Sequence, residues 1–297
     1  MQVVDPHIHL WDLKKNYYPW LAKPGVNFLG DYSSLAKSHL PADFRREAGD
    51  IEVLKVVHVD AGHNPADPLR ETQWLQGLAD APGGGGFPQA IVAAADFSRP
   101  DVGALLEAHA RHPNLRGVRQ ILNVHADPIY DYVSRNFMEE PEWRANFRLL
   151  AKHRLSFDLQ IYPDQAETAA ALAHENPDIP FILNHTGMFA DRGSWRAWRI
   201  WTSGLRRLAA EPNVAIKISG LGMFDPAWTL ESFRPYVLEA IAAFGVARAM
   251  FASNFPVDRL FSSYPRLWRS FEAIVADADE AERAALFRGN AERIYRL

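Results

Sequence analysis

The sequence predicts an α/β fold, and within that class a (β/α)8 TIM barrel. Short β-rich runs alternate with longer helical patterns, which is typical of parallel strands joined by helices. There are eight such runs, the number that a closed barrel requires. The length of 297 residues suits one barrel with an insertion. The eight runs cover residues 3–12, 55–60, 91–97, 116–122, 156–162, 180–187, 214–220 and 249–256.

The composition indicates a large core and a small-molecule partner. Hydrophobic residues make up 48% of the chain and the net charge of -4 combines both signs, so we expect neither nucleic acid nor membrane as partner. The lack of cysteine excludes disulfides, thiolate ligands and a cysteine nucleophile. Because no export signal and no long apolar run are visible, we expect a cytoplasmic protein. The oligomeric state is left open, a homodimer being one alternative.

The first run places two imidazoles close together. In a strand, alternate side chains share a face, so Asp5, His7 and His9 are expected on one side, and in a barrel both histidines would project into the mouth. Two surface histidines on an edge strand are the alternative that this pair alone leaves open.

The segment 13–50 interrupts the alternation of strands and helices. It is too aromatic for a disordered linker and too often broken by proline and glycine for one helix. We expect an ordered excursion over the barrel mouth, within a single domain of residues 1–297.

Polar side chains recur near the predicted C-terminal ends of the strands, where barrel enzymes carry their active sites. Arg119 stands out because strands buried on both faces are nearly continuously apolar. It either reaches the open mouth or forms an ion pair with an acid such as Asp158. One such residue could be a solvated strand end, but the whole set is not explained that way, although His58 could face either side. The set is His7, His9, His58, Arg119, Gln160, His185, Lys217 and Asn254.

Seven motifs together resemble the amidohydrolase-related family over essentially the whole chain. The similar branch holds sugar-acid lactonases and 2-pyrone-4,6-dicarboxylate lactonase. The resemblance therefore implies a TIM barrel of the metal-dependent hydrolase superfamily that opens a lactone or related ester of a small polar acid. The motifs are DPHIHLWD at 5–12, GVR at 117–119, DLQ at 158–160, NHTG at 184–187, KISG at 217–220, SNFPVD at 253–258 and GNA at 289–291.

The resemblance implies an incomplete set of metal ligands. His7, His9 and His185 match ligand positions of the family. Gln160 stands where a histidine ligand is expected, and Asn254 stands in place of an aspartate that also serves as base. An amide is a poor ligand for a transition metal beside imidazole and takes up no proton at neutral pH. We expect one weakly held zinc or manganese ion on the three histidines, or no metal.

The resemblance and the strand-end pattern together assign candidate roles. Lactone hydrolysis needs an activated water, a polarised carbonyl and a stabilised oxyanion. Asp258, four residues after Asn254, is the candidate replacement base, and pairing with Arg259 or capping of the next turn is its alternative role. The predicted catalytic residues are His7, His9, His185, Asn254 and Asp258. The predicted substrate-binding residues are Trp11, Arg119, Gln160 and Lys217, and the two cations among them are expected to hold a carboxylate.

Two other functions remain open at this point. Metal-dependent nonoxidative decarboxylation would need an intact metal set, which Gln160 and Asn254 argue against. A non-catalytic small-molecule-binding barrel is favoured by the loss of the strand-eight carboxylate and opposed by the retained histidines.

Overall fold

The computed structural model describes residues 1–25 and 27–297, and in this part eight parallel strands follow one another in chain order. The strands are β1 (Gln2–Ile8), β2 (Glu52–Val59), β3 (Ala90–Ala94), β4 (Leu115–Ile121), β5 (Ser156–Gln160), β6 (Phe181–Leu183), β7 (Val214–Ile218) and β8 (Ala249–Phe251). Two hydrogen bonds join the first and last strands beyond their ends. The His9 amide donates to the Phe255 carbonyl (2.7 Å), and the Asn254 amide donates to the His7 carbonyl (2.9 Å). The barrel is thus nearly closed, and the predicted (β/α)8 fold is confirmed.

Helices connect the strands and cover the outside of the barrel. They are α1 (Pro19–Ala22), α2 (Pro41–Ala48), α3 (Leu69–Asp80), α4 (Val102–His109), α5 (Pro141–Phe147), α6 (Leu149–Lys152), α7 (Ala166–Glu175), α8 (Trp195–Ala209), α9 (Leu230–Phe244), α10 (Tyr264–Ile274), α11 (Glu280–Ala284) and α12 (Asn290–Tyr295). In the part of the chain that the structure describes, none of these helices has the length and apolar character needed to cross a bilayer.

The core has two layers because successive strand side chains point to opposite sides of the barrel wall. Outward-facing aromatic residues meet the helices, as where the Phe251 and Phe271 rings stack with centroids 4.5 Å apart. Inward-facing Val4, Ile182 and Met250 fill the lumen together with Tyr295 of α12. Because α12 plugs the N-terminal end of the barrel, the opposite end is the one available for a site.

Part of the segment 13–50 contacts the C-terminal ends of the strands, whereas its helix α2 packs in the outer core, where the Phe44 and Tyr264 ring centroids lie 5.5 Å apart. Trp11 and His39 exchange backbone hydrogen bonds (3.0 and 2.9 Å), which tie the two ends of the segment together. The Trp20 indole donates to the Ala61 carbonyl just beyond β2 (2.8 Å). Its buried aromatic and aliphatic side chains form a separate small cluster above the barrel. This segment therefore supplies part of the wall around the mouth.

The alternation of side chains breaks within β1. Its register against β2 shifts between Asp5 and Ile8. The Asp5 carboxylate turns towards α10, where it accepts from the Tyr264 hydroxyl (3.0 Å), and it also accepts from the Ser253 amide (3.0 Å). His7 and His9 instead lie together, with ring centroids 5.0 Å apart. The expectation that Asp5 shares their face is wrong, because a local bulge reverses the face that the period assigns.

Candidate active site

A cavity of about 240 Å³ opens at the C-terminal end of the barrel. Its polar lining includes Asn27 and the strand-end residues His9, Arg119, Gln160, His185 and Asn254. Its apolar lining consists of Trp20, Leu29, Ala61, Ile121, Tyr132, Met188, Met223 and Val257. A mostly apolar pocket with a few convergent polar groups is the usual form of a small-molecule site. Five of the strand-end polar residues therefore share one cavity.

The backbone leaves the strand conformation where it presents these side chains. β6 and β8 end earlier than the sequence runs suggest, and His185 and Asn254 have left-handed φ angles of 52° and 59°. Such angles are uncommon for residues with a side chain and concentrate at functional sites. Gly220, also left-handed, packs against His185 so closely that a Cβ would lie 2.8 Å from the imidazole Nδ1. Only glycine fits at this position.

His9 and Asn254 present an unusual pair of atoms to the cavity. The His9 Nδ1 donates to the Val59 carbonyl (2.7 Å), so in the neutral ring Nε2 carries a lone pair, as assigned from this hydrogen bond. Burial, and secondly the positive charge of Arg119, holds the pKa of His9 well below its ordinary value. The Nε2 atom lies 3.3 Å from Asn254 Oδ1. The ring is therefore neutral and its lone pair faces another acceptor.

Asp258 fixes the orientation of the Asn254 amide. Asn254 Nδ2 donates to Asp258 Oδ1 (3.2 Å), which leaves the amide oxygen turned towards His9. Asp258 lies in a 3-10 turn, Val257–Leu260, and burial raises the pKa of its carboxyl to about 7. The segment after Pro256 enters this turn at once. Asp258 thus lies behind Asn254, and Arg259 pairs with Glu47 (2.5 Å) and not with Asp258.

His185 completes the histidine cluster. Its ring centroid lies 4.5 Å from that of His7, and its Nδ1 contacts the Ser219 hydroxyl (3.2 Å). Burial, and secondly the positive charges of Arg119 and Lys217, holds the pKa of His185 well below its ordinary value. The ring is therefore neutral at physiological pH and can donate or accept one proton towards the cavity.

Arg119 is already engaged in an ion pair. Its guanidinium binds the carbonyl and the carboxylate of Asp60, the latter at 3.3 Å, and Nη1 donates to Gln160 Oε1 (3.0 Å). The ion-pair partner of Arg119 is thus Asp60 and not the expected Asp158. Nε of Arg119 has no hydrogen-bond partner within the described residues. Arg119 thus lines the cavity while its charge is balanced by Asp60.

Lys217 does not reach the mouth where its predicted role would place it. Its side chain is fully buried and lies 2.5 Å from Asp158 Oδ1 and 3.5 Å from His7 Nδ1. Tyr295 donates to both carboxylate oxygens of Asp158 (2.9 and 3.0 Å). Lys217 and His7 therefore lie in a sealed layer beneath the cavity floor. A carboxylate of a bound ligand cannot contact this lysine.

Two other predicted or candidate residues also lie outside the cavity. The Trp11 indole is buried and donates to the Lys37 carbonyl (2.6 Å), so it packs against the segment 13–50 and not into the cavity. His58 Nδ1 accepts from the Leu10 amide (3.1 Å), and its ring is fully buried between β2 and α3 beside Glu71. Both residues support the walls of the mouth.

The donor set does not fit a tightly held metal ion. Within residues 1–25 and 27–297, no three His, Cys, Asp or Glu side chains are placed to hold a metal. The His7 Nδ1 atom faces an ammonium, and the amide of Asn254 stands beside His9 where a carboxylate ligand would be needed. We therefore derive no step through a metal.

Sequence reasoning missed several residues that shape the site. Asp60 and Gly220 hold Arg119 and His185, and the cavity walls include Trp20 of the short helix α1 and Tyr132 of the loop after β4. Asp60 and Gly220 are the last residues of two predicted runs, so their strand-end position was an available signal. Nothing in a local pattern identifies the two aromatic residues, because their contact with the cavity depends on how long loops fold.

A closed parallel barrel with imidazole, guanidinium and amide groups around one C-terminal cavity defines a barrel enzyme. The chain belongs to the Amidohydrolase family, whose model matches residues 4–297. It is therefore a hydrolase with a small-molecule substrate.

Relatives of known sequence and structure support this assignment. The protein y4mH of Sinorhizobium fredii is 50% identical over 299 residues, which are 99% of this chain and 98% of that protein. An L-fucono-1,5-lactonase of Burkholderia ambifaria is 29% identical over 301 residues, 99% and 95% of the two chains. The crystal structure of an amidohydrolase from Burkholderia multivorans with bound zinc matches at a TM-score of 0.81, 26% identity and full coverage of both chains.

Proposed function

We propose that this hydrolase opens the lactone ring of a small sugar acid by attack of a water molecule that His9 activates. The acceptor pair of His9 Nε2 and Asn254 Oδ1, 3.3 Å apart at the cavity wall, carries the proposal. The lactonase named among the relatives supports the substrate class.

The acceptor pair suits the nucleophile. A water molecule has two O–H donors, and one bound at this pair would donate to His9 Nε2 and to Asn254 Oδ1. Its lone pairs would then be free to attack a carbonyl carbon. Because His9 is neutral, its Nε2 can accept the proton as the new C–O bond forms. Asn254 orients the water, and Asp258 holds Asn254 in the orientation that permits this.

Donors on the other side of the cavity would stabilise the charge that develops on the carbonyl oxygen. Arg119 would offer an N–H of its guanidinium, and His185 would offer its ring nitrogen Nε2 when that atom carries the proton. Since the positive charge of Arg119 is balanced by Asp60, the cavity has no large excess charge in the absence of substrate. Preorganised donors of this kind commonly provide the largest part of catalysis in acyl transfer.

Ring opening completes the reaction. The tetrahedral intermediate collapses, the ring C–O bond breaks, and the leaving oxygen takes the proton that His9 received from water. The product is a hydroxy acid, which ionises to its carboxylate by losing one further proton to solvent. Arg119 is then the candidate partner of that carboxylate.

A direct assay tests this proposal. We expect the purified protein to release acid from one or more five- or six-membered sugar-acid lactones in a pH-indicator assay, at a rate above spontaneous hydrolysis. Dicarboxylated pyrones and hydroxybenzoic acids serve as the contrasting substrates. Carbon dioxide release from the hydroxybenzoic acids without hydrolysis of any lactone would overturn the proposal.

A further inference from the structure

A sealed ion group lies directly beneath the histidine cluster. Lys217 of β7, Asp158 of β5 and Tyr295 of α12 are all fully buried in the lumen. The lysine Nζ lies 2.5 Å from Asp158 Oδ1, and the tyrosine hydroxyl donates to the same carboxylate. A buried ion pair is stable only when its charges are matched and hydrogen-bonded, and this group meets both conditions.

The same ammonium contacts His7. Its Nζ lies 3.5 Å from His7 Nδ1. An ammonium has only donors, so Nδ1 must be the acceptor of this contact. With Nδ1 as the acceptor, the ring proton of His7 is assigned to Nε2. That Nε2 has no hydrogen-bond partner among the described residues, so nothing on the far side opposes this tautomer.

We propose that Lys217 is a built-in cation that fixes the proton of His7 on Nε2 and so withdraws His7 from metal coordination. A metal needs a lone pair on the nitrogen that it binds. Nε2 offers none in this tautomer, and the lone pair of Nδ1 is turned to the ammonium. Asp158 and Tyr295 hold the ammonium in place. The His-x-His motif of the first strand is thereby converted from a ligand pair into one fixed donor, His7, and one acceptor, His9.

This inference is independent of the proposed substrate, because its tests measure zinc binding and protonation. The first test removes both charges of the ion group together, with Lys217→Met and Asp158→Asn in one variant, so that no unpaired buried charge remains. Isothermal titration calorimetry with zinc chloride is expected to show at least tenfold tighter binding by this variant than by the wild type. The surface pair Lys55 and Glu292, 2.8 Å apart, gives the matched control as Lys55→Met with Glu292→Gln, which should bind zinc like the wild type. An unchanged zinc affinity in the buried variant would overturn the proposal.

The second test reads the protonation state in the wild-type protein and uses a variant only to assign signals. Nitrogen-15 NMR of histidine-labelled wild-type protein distinguishes protonated from unprotonated ring nitrogens, and His7→Gln assigns the signals. We expect His7 to show a protonated Nε2 and His9 a protonated Nδ1. A protonated Nδ1 on His7, or one tightly held zinc ion per wild-type chain on the three histidines, would contradict the inference.

Discussion

Arg119 and Lys217 are both cations that face the barrel lumen, but they belong to two different levels of it. Arg119 lies in the cavity wall and is paired with Asp60. Lys217 lies beneath the floor, where Asp158, Tyr295 and His7 surround it. Of these two lumen-facing cations, only Arg119 borders the cavity where a ligand could reach it. One level deeper, the same kind of residue acts on neighbouring side chains.

The largest effect is expected at the upper level, from loss of the proposed base. His9→Gln keeps a polar side chain but removes the nitrogen that accepts the proton, so kcat on the lactone should fall by about 10²- to 10⁴-fold. Steady-state kinetics measures this effect. His174→Gln, an exposed histidine of α7, is the matched control and should leave kcat unchanged. If kcat of His9→Gln falls by less than about tenfold, His9 is not the base, and His185 becomes the candidate for that role.

The lower level should respond in stability. Lys217→Met leaves Asp158 buried without its cation, so the free energy of unfolding should fall by about 3–5 kcal/mol. Urea denaturation measures the change. Lys55→Met, which removes the partly exposed partner of Glu292, should cost less than about 1 kcal/mol. Equal losses in the two variants would show that the buried layer is open to water.

Arg119 should show both effects, divided differently from Lys217. Arg119→Met removes one charge-assisted hydrogen bond to substrate of about 1.5–3 kcal/mol, so KM should rise about tenfold to a hundredfold. Arg119→Lys keeps the charge beside Asp60 but loses the planar donor set, and it should restore stability more fully than KM. If Arg119→Met lowers only the melting temperature and leaves KM unchanged, the arginine serves solely as the ion-pair partner of Asp60.

Sequence periodicity predicts which side of the barrel wall a residue faces, but it does not predict depth. The strand count and the strand-end positions of Arg119, Gln160 and Asn254 lead correctly to one cavity. Lys217 is one residue from the end of its strand and still lies beneath the floor, because the chain continues into a turn above it. Asp5 is misplaced by the bulge in β1, and Asp60 is missed because only the tertiary fold brings β2 beside Arg119. Local sequence patterns contain no information on depth in the lumen, and they do not reveal a bulge or a contact between separate strands.

Asp258 offers the smallest and most specific test of the upper level. Burial raises the pKa of its carboxyl to about 7, so at higher pH it is an acceptor that holds Asn254 Nδ2 and keeps Oδ1 turned to His9. As pH falls through that pKa, the carboxyl gains a proton and becomes a donor. The Asn254 amide can then turn over, and its Nδ2 donates to His9 Nε2 and occupies the lone pair that the reaction needs. The rate should therefore fall on the acidic side of about pH 7.

Asp258→Asn tests this coupling because it removes the titrating group and keeps the side-chain size. Since one net hydrogen bond of about 0.5–1.5 kcal/mol is affected, kcat at pH 8 should fall by about tenfold or less, and the acidic limb of the pH–rate profile should shift or vanish. Asn254→Asp should instead lower the rate at high pH, because two carboxylates would then lie side by side and one would retain its proton. If kcat of Asp258→Asn falls a hundredfold or more, Asp258 is the base itself. If the acidic limb of the pH–rate profile is unaltered, that limb reports titration of the histidines and not of Asp258.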